Sequence, residues 1–179
     1  MTRGSADPMN RIAVIGCSGA GKSTLARQLG ERLAIPVIHL DQLFWRPGWT
    51  ESPHAAFEAK VSDAVRADRW ILDGTFRATW HIVMPAVDTV VWLDFPRHVC
   101  LWRVTKRLLN YVGRTRPDLP DGCPERIDLE FLEFIWTFNE DYRPRIISRL
   151  DQRRSDQRLI TFRGPTDVAR FTREMGIET

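Results

Sequence analysis

The sequence predicts an α/β domain built around a parallel β-sheet, and two observations lead to that fold class. Five short apolar runs recur along the 179 residues, and segments with helical periodicity separate them. The runs lack the polar–apolar alternation of half-exposed strands, which is typical of strands buried on both faces. Because parallel neighbours need crossover connections, usually helices, this order favours a five-stranded parallel sheet with helices on both faces.

The predicted strands are short and each is followed by a helical segment or a turn. They cover residues 11–15, 35–40, 70–72, 89–93 and 159–162. The first ends in a glycine-rich turn, after which leucines recur at helical spacing. After the second, Ser52 and Pro53 are expected to cap and open a helix. A long helical zone, about 124–154, contains Pro144, which should kink or split it. Thr166 is the expected cap of a closing helix.

Length and composition indicate one domain. A chain that is 43% apolar at this length can bury one sizeable core. Residues 1–8 have no periodic pattern and are expected to be a disordered extension, which leaves 9–179 as a single domain. Cys17, Cys100 and Cys123 form no CxxC pair, as expected of free thiols. No stretch resembles a membrane span or a signal peptide, so we expect a cytoplasmic protein, with a monomer favoured.

A glycine-rich segment carries the strongest functional signal. Gly16-Cys-Ser-Gly-Ala-Gly-Lys22-Ser23 matches GxxxxGK[ST] between a predicted strand and a predicted helix, the context that a phosphate-binding loop requires. Its glycines let backbone N–H groups converge where the helix N-terminus adds roughly half a positive charge. The alternative, a random match, has a probability below about one in a hundred. The predicted ATP-binding residues here are Gly16, Ser18, Gly19, Ala20, Gly21, Lys22, Ser23 and Thr24.

Two side chains of this loop have expected chemical roles. Lys22 should reach the β- and γ-phosphates and act in catalysis, and the Ser23 hydroxyl should coordinate Mg²⁺. The second magnesium residue is expected at the end of a buried strand. Asp73 is our first choice, holding the ion through water. Asp94 has the same local form but precedes a helix that it would equally cap, so it ranks second.

The acceptor side is predicted from the segment after the second strand. Asp41 lies close in topology to the phosphate loop, and a carboxylate there could accept the proton of an acceptor hydroxyl. The aromatic residues Phe44, Trp45 and Trp49 would form an acceptor wall, or equally an ordinary part of the core. His39 is expected to be packed rather than catalytic. The acceptor-binding candidates are Asp41, Trp45, Gly74 and Arg77.

Basic residues accumulate between Asp94 and Asp118, where no acid occurs. Arg103 and Arg107 lie four residues apart, so their charges repel unless an anion such as a polyphosphate lies near them. The following loop, 113–123, is expected to be exposed and to belong to a lid over about 110–127. A solvated basic face or a nucleic-acid patch is the alternative.

The order and spacing of these motifs resemble the adenylate-kinase-related P-loop kinases. More closely, several segments resemble bacterial proteins labelled DNA topology modulation protein, over essentially residues 9–172. These segments are His39-Leu-Asp-Gln-Leu-Phe-Trp, Gly113-Arg-Thr-Arg-Pro-Asp118, Gly122-Cys-Pro-Glu125, Ile135-Trp and Arg143-Pro.

The wider family implies a lid whose arginines stack on adenine and clamp phosphates. By position, Arg103 would bind ATP and Arg107 would act in catalysis. The further candidates are Arg116, Arg143 and Arg145. The acceptor side departs from adenylate kinases, because Asp41-Gln-Leu-Phe-Trp replaces their nucleotide-monophosphate pattern. That segment is similar to the Asp-x-Phe-Tyr stretch of uridine-type kinases, in which the aspartate is the base.

These features predict an ATP- and Mg²⁺-dependent kinase that phosphorylates a small acceptor: a nucleoside, a nucleotide or a related metabolite. The other class is a nucleotide-dependent DNA-binding regulator, suggested by the topology-modulation label and an isoelectric point of about 9.0. The sequence contains no recognisable DNA-reading motif such as a helix-turn-helix or zinc finger. A small-molecule acceptor is therefore the predicted partner, with nucleic acid as the alternative.

Overall fold

The computed structural model describes residues 9–111, 118–124 and 128–177. These residues form seven strands, which are β1 (Arg11–Gly16), β2 (Val37–His39), β3 (Trp45–Arg46), β4 (Thr50–Glu51), β5 (Trp70–Asp73), β6 (Thr89–Leu93) and β7 (Arg158–Phe162). Five of them form one sheet in the order β2-β5-β1-β6-β7, with every neighbouring pair parallel. The predicted α/β fold class and its five-stranded parallel sheet are confirmed.

Helices follow the strands along the chain. They are α1 (Lys22–Leu33), α2 (Leu40–Phe44), α3 (His54–Ala64), α4 (Trp80–Ala86), α5 (Arg97–Tyr111), α6 (Leu129–Asp141), α7 (Arg143–Asp151) and α8 (Pro165–Glu174). The predicted long helical zone is split in two, with Pro144 in the first turn of α7. A proline is tolerated there because that position needs no backbone donor. Among the described helices, none combines the length and apolar content needed to cross a membrane.

The centre of the sheet is buried on both faces. All residues of β5 and β6, and all but Arg11 of β1, are buried without alternation. Residues at the centre of the core, such as Ile12, Leu29 and Trp70, have no exposed surface. Strand β1 lies at the centre of the sheet, and the chain builds β2 and β5 on one side of it and then β6 and β7 on the other. The crevice at the carboxyl end of such a strand is where open α/β sheets bind ligands.

Two predicted helix caps are wrong. Helix α3 begins at His54 with Pro53 in the cap position, and the Ser52 hydroxyl instead lies 3.4 Å from the Leu43 carbonyl oxygen. Thr166 lies inside α8, whose cap position is Gly164. The short antiparallel pair β3–β4 was not predicted, because two-residue strands carry no detectable periodicity. The predicted extension, residues 1–8, and lid residues 112–117 and 125–127 lie outside the described residues.

Candidate active site

A cleft of about 1310 Å³ opens at the carboxyl edge of the central sheet. The last residues of three adjacent strands line it: Gly16 of β1, Asp73 of β5 and Leu93 of β6. Side chains from α5, α6, α7 and α8 line one part of the cleft, and the segment from α2 to β4 lines another. The lining therefore combines the glycine-rich loop with two sets of side chains, one from α5 to α8 and one from the segment between α2 and β4.

The glycine-rich loop connects β1 to α1, as its motif predicts. Gly19 has a φ of +83°, and a Cβ at this position would collide with the carbonyl oxygen of Cys100. Gly16 has a φ of +145°, and its Cβ would lie 2.5 Å from the Leu93 carbonyl oxygen. Only glycine fits where the loop packs this closely on α5 and β6. All eight predicted ATP-binding residues of the loop line the cleft.

The charge of the loop comes from Lys22 and from the start of α1. Lys22 is the first residue of α1, and its Nζ donates to the Cys17 carbonyl oxygen at 3.0 Å. The N–H groups of the first helical turn have no partner within a helix, and they carry the positive end of its dipole. Ser23 and Thr24 belong to this turn and line the cleft. An anionic ligand is therefore stabilised at this point.

The thiol of Cys17 points away from the cleft into the core. Cys17 and Cys100 are 2% and 0% exposed, and they share a hydrogen bond. This hydrogen bond, together with burial, raises the pKa of Cys17 above its ordinary value, so this residue stays a neutral thiol. All three cysteines are free, as the sequence predicts, and all three are buried. The two buried cysteines thus pack the loop against α5.

The two carboxylate oxygens of Asp73 differ in their hydrogen bonding. Its side chain is 5% exposed, and its Oδ2 lies 2.8 Å from Nδ1 of His39. Its Oδ1 is buried and has no hydrogen-bond partner in the described part of the chain. Within that part there is also no cluster of three side chains able to hold a metal by themselves. The arrangement fits Mg²⁺, which usually takes one or two carboxylates together with phosphate oxygens and water.

Asp94 and Arg143 bind each other. Arg143 donates from Nε to Oδ1 at 2.7 Å and from Nη2 to Oδ2 at 2.9 Å, a two-pronged ion pair. The hydrogen bonds that Arg143 donates to Asp94 raise the pKa of Arg143. The guanidinium also lies 5.8 Å from the ring centre of Trp92. Of the predicted site residues, the structure does not bring Asp94 and Arg143 to the cleft lining.

The four predicted acceptor residues, Asp41, Trp45, Gly74 and Arg77, all line the cleft. Trp45 and Trp49 meet edge to face with ring centres 5.4 Å apart, and Trp49 also lines the cleft. Phe44 differs: it is not in the lining and packs on Phe57 and Phe76, with ring centres 5.1 and 4.8 Å away. The two tryptophans are thus placed for an acceptor wall, whereas Phe44 belongs to the packing behind it.

Arg103 and Arg107 both line the cleft from α5. Arg103 donates to the Ala20 carbonyl oxygen at 2.9 Å and lies 5.5 Å from the ring centre of Phe95. Arg107 lies 5.9 Å from the ring centre of Phe131. Both arginines thus line the same cleft as the glycine-rich loop, where the sequence analysis expects an anion. Arg145 lines the cleft from α7, and Arg116 lies outside the described residues.

In the described part of the predicted lid, 118–124, three residues are buried and three are exposed, so the segment is neither fully exposed nor fully packed. Leu119 and Asp118 are each 5% exposed and Cys123 is fully buried. The β3–β4 pair anchors the segment, because the Gly48 amide donates to the Gly122 carbonyl at 2.9 Å. The indole of Trp49 also donates to the carbonyl oxygen of Pro124 at 3.0 Å. These contacts hold the segment against the β3–β4 pair.

Sequence reasoning missed several lining residues. Thr75 both accepts from the Gly16 amide at 2.9 Å and donates to the Gly16 carbonyl at 3.1 Å, which ties the end of β5 to the loop. Its position two residues after Asp73 was an available signal. An aromatic row on α6 and the start of α7 was also missed, although its three- and four-residue spacing is visible in the sequence. The missed cleft residues also include Phe131, Phe134, Phe138, Tyr142 and Arg149.

Sequence comparison gives limited information. No protein-family model matches the chain. The uncharacterized protein YqaC of Bacillus subtilis (strain 168) is 28% identical over 104 residues, which are 57% of this chain and 58% of YqaC. The match thus spans less than two thirds of either protein.

Structural comparison is more extensive. Shikimate kinase from Bacteroides thetaiotaomicron is similar with a TM-score of 0.57 and 20% identity, covering 94% of this chain and 99% of that one. Deoxyadenosine kinase from M. mycoides is similar with a TM-score of 0.52 and 15% identity, covering 92% of this chain and 97% of that one. A gluconokinase from Sinorhizobium meliloti 1021 is similar with a TM-score of 0.52 and 16% identity, covering 93% of this chain and 89% of that one. At these identities the likeness shows the fold alone. The chain therefore has the fold of small-molecule P-loop kinases.

Proposed function

We propose that this protein is an ATP- and Mg²⁺-dependent kinase that transfers the γ-phosphoryl group to a small acceptor. The observation that carries the proposal is that one cleft brings together the glycine-rich loop, arginines of α5 and α7, and a carboxylate with two tryptophans from the segment between α2 and β4. The three similar structures bear the names of small-molecule kinases, which supports the same reaction class.

The size of the cleft supports two substrates. A pocket for one small molecule is typically about 300–1,000 Å³, and this cleft of about 1310 Å³ is larger. Phosphoryl transfer needs donor and acceptor in one water-poor cleft, held in line with each other. A large cleft whose lining combines the phosphate loop with two chemically different sets of side chains meets that requirement.

On the donor side, each charged group has a defined task. The loop N–H groups and Lys22 would bind the β- and γ-phosphates and stabilise the charge of the transferring phosphoryl group. Arg103 and Arg107 would add two forked donors from α5. Ser23 and Asp73 would hold Mg²⁺, and this ion would neutralise negative charge on the β- and γ-phosphate oxygens. The aromatic row of α6 would offer flat apolar surface to a nucleobase.

On the acceptor side, Asp41 would orient an acceptor hydroxyl and take its proton, while Trp45 and Trp49 cover the acceptor body. The resemblance to DNA topology modulation proteins supports a second class, nucleotide-dependent DNA binding. Arg103 and Arg107 line the cleft rather than an outer surface, which favours the kinase over a nucleic-acid patch.

An ATP-consumption screen tests the proposal. Nucleosides, nucleoside monophosphates and small hydroxylated metabolites are offered with ATP and Mg²⁺, and we expect at least one class to be phosphorylated. Lys22→Ala should lower kcat by about 10²–10³-fold, as loss of one preorganised donor does. Lys60→Ala is the matched control, because Lys60 lies on α3 outside the cleft lining.

Two outcomes would contradict the kinase. Full turnover by Lys22→Ala would remove the loop from the mechanism. Alternatively, a lack of acceptor-dependent turnover, together with salt-sensitive DNA binding in a gel-shift assay, would support the DNA-binding class.

A further inference from the structure

His39 is a largely buried ionisable side chain in contact with Asp73, and the proposed mechanism has not used it. We propose that His39 is a positioning residue, which holds the carboxylate of Asp73 so that one oxygen stays available to a divalent cation at the phosphate loop. The inference rests on the proposed kinase function and assigns a role in metal binding within it.

The backbone places the two residues side by side. Strands β2 and β5 are parallel, and His39 and Asp73 are direct partners in their register. Both residues are the last of their strands, so their side chains meet at the carboxyl edge of the sheet. Asp73 lines the cleft, and His39 is not in the described lining. His39 thus supports Asp73 from outside the cleft.

The hydrogen bond makes the two oxygens of the Asp73 carboxylate unequal, because only Oδ2 is bonded to His39. Nδ1 of His39 lies 2.8 Å from Oδ2, with the two side chains 12% and 5% exposed. An ionised carboxylate only accepts hydrogen bonds, so the Nδ1 position is the donor. No described residue bonds to Oδ1, although it is buried. A buried charged oxygen without a partner is costly, and a cation or its bound water would remove that cost.

A hydrogen bond of this kind controls the rotation of a ligand carboxylate. With Oδ2 held by His39, the carboxylate cannot turn freely about its Cβ–Cγ bond, and Oδ1 keeps one direction. Partners that orient metal ligands in this way typically change metal affinity or activity by about 10–100-fold when removed. His39 therefore acts through Asp73, without touching substrate.

The chain offers matched variants. In His39→Asn, the amide nitrogen occupies roughly the place of Nδ1, so the donor is kept. In His39→Gln, the amide nitrogen occupies roughly the place of Nε2, and in His39→Leu the donor is lost. The control is His81→Asn, because His81 is 62% exposed and lies 3.6 Å from Glu58, away from the cleft.

The experiment measures metal binding directly. Mn²⁺, which prefers the same oxygen ligands as Mg²⁺, is titrated into the full chain with bound ATP and followed by electron paramagnetic resonance. We expect His39→Leu and His39→Gln to weaken Mn²⁺ binding by about 10–100-fold, with His39→Asn and His81→Asn close to wild type. ATP affinity without metal should be unchanged in all variants, and excess Mg²⁺ should restore kcat.

The outcomes separate this inference from the proposed function. Equal Mn²⁺ affinity in the Asn and Gln variants would overturn the positioning role, whatever their stability. If His39→Leu does not fold, as judged by circular dichroism, the Asn–Gln comparison still decides. Absence of wild-type turnover with every acceptor would contradict the kinase, whereas the Mn²⁺ titration would still test His39.

Discussion

At the residue scale, Asp41 is the group on which the acceptor chemistry depends. It lies half-buried in the first turn of α2 and lines the cleft beside Trp45. If it takes the proton of an acceptor hydroxyl, Asp41→Asn should keep the shape of the side chain and the ATP affinity but lower kcat by about 10²–10⁴-fold. Nucleotide titration and turnover at saturating acceptor measure the two quantities separately.

The control for this prediction is Glu51→Gln, because Glu51 is another carboxylate that lines the same cleft. We expect that variant to retain kcat. A phosphate acceptor needs no strong base, so in that case Asp41→Asn would change KM or the Mg²⁺ dependence more than kcat. Unchanged ATP affinity with unchanged kcat would eliminate Asp41 as the base.

For the aromatic residues near Asp41, residue type alone does not distinguish a binding surface from core packing. Sequence weighs an acceptor wall equally with core packing for Phe44, Trp45 and Trp49, because both uses require large apolar rings. Direction decides between them: Phe44 packs toward Phe57, whereas the tryptophans line the cleft. That direction depends on α2 and the β3–β4 pair, elements too short to leave a periodic pattern in the sequence.

At the scale of elements, the strand–loop–helix unit of the phosphate loop is the part most fully predictable from sequence. Its glycines, apolar strand and leucine-patterned helix all indicate the same local structure. The prediction of Ser52 as a helix cap was wrong because a contact outside the local sequence pattern holds this residue. Ser52 has a suitable hydroxyl, but its backbone amide donates to the Phe44 carbonyl. Such a tertiary contact is invisible in a local cap pattern.

The loop geometry makes a prediction for Gly19. Gly19→Ala should destabilise the protein through an unfavourable φ, about 1–2 kcal/mol, and through the collision with the Cys100 carbonyl, about 1–3 kcal/mol more. Gly48→Ala is the matched control, since its φ is +77° but a Cβ there meets no described atom within 4 Å. Urea unfolding of both variants measures the difference.

ATP binding provides a second readout for the same pair. Gly19→Ala should weaken ATP binding, because the added methyl group pushes the loop away from α5. Gly48→Ala should not, since Gly48 is not in the described cleft lining. Equal losses of stability in the two variants would show that the loop can move off the Cys100 carbonyl at no cost.

At the scale of the whole molecule, the sheet order explains why the site forms where it does. The sequence predicts five strands but cannot order them, because burial patterns of central strands are alike. The order β2-β5-β1-β6-β7 is what brings His39, Asp73 and Gly16 to one edge. The place of the aromatic row of α6 in the cleft depends likewise on how α6 packs against α5 and α7, which long-range contacts decide.

The ion pair of Asp94 and Arg143 joins the end of β6 to the start of α7, and so connects the central sheet to this helix. Its position makes it a structural link, whereas the family resemblance makes Arg143 a catalytic candidate. Arg143→Met and Asp94→Asn should each lower the free energy of unfolding by up to about 1.5–3 kcal/mol. The lower end is expected, because Arg143 is 34% exposed.

A double-mutant cycle separates the two roles. If the pair is a structural link, the double variant should lose less than the sum of the single losses, with a coupling energy of about 0.5–3 kcal/mol. Both single variants should then change kcat/KM to a similar and small extent at a temperature where all are folded. A catalytic Arg143 gives a different pattern: Arg143→Met lowers kcat strongly while Asp94→Asn, which keeps the arginine, does not. Urea unfolding and steady-state kinetics on the same four proteins distinguish these results, since a link acts on stability through both partners and a catalytic group acts on turnover through one.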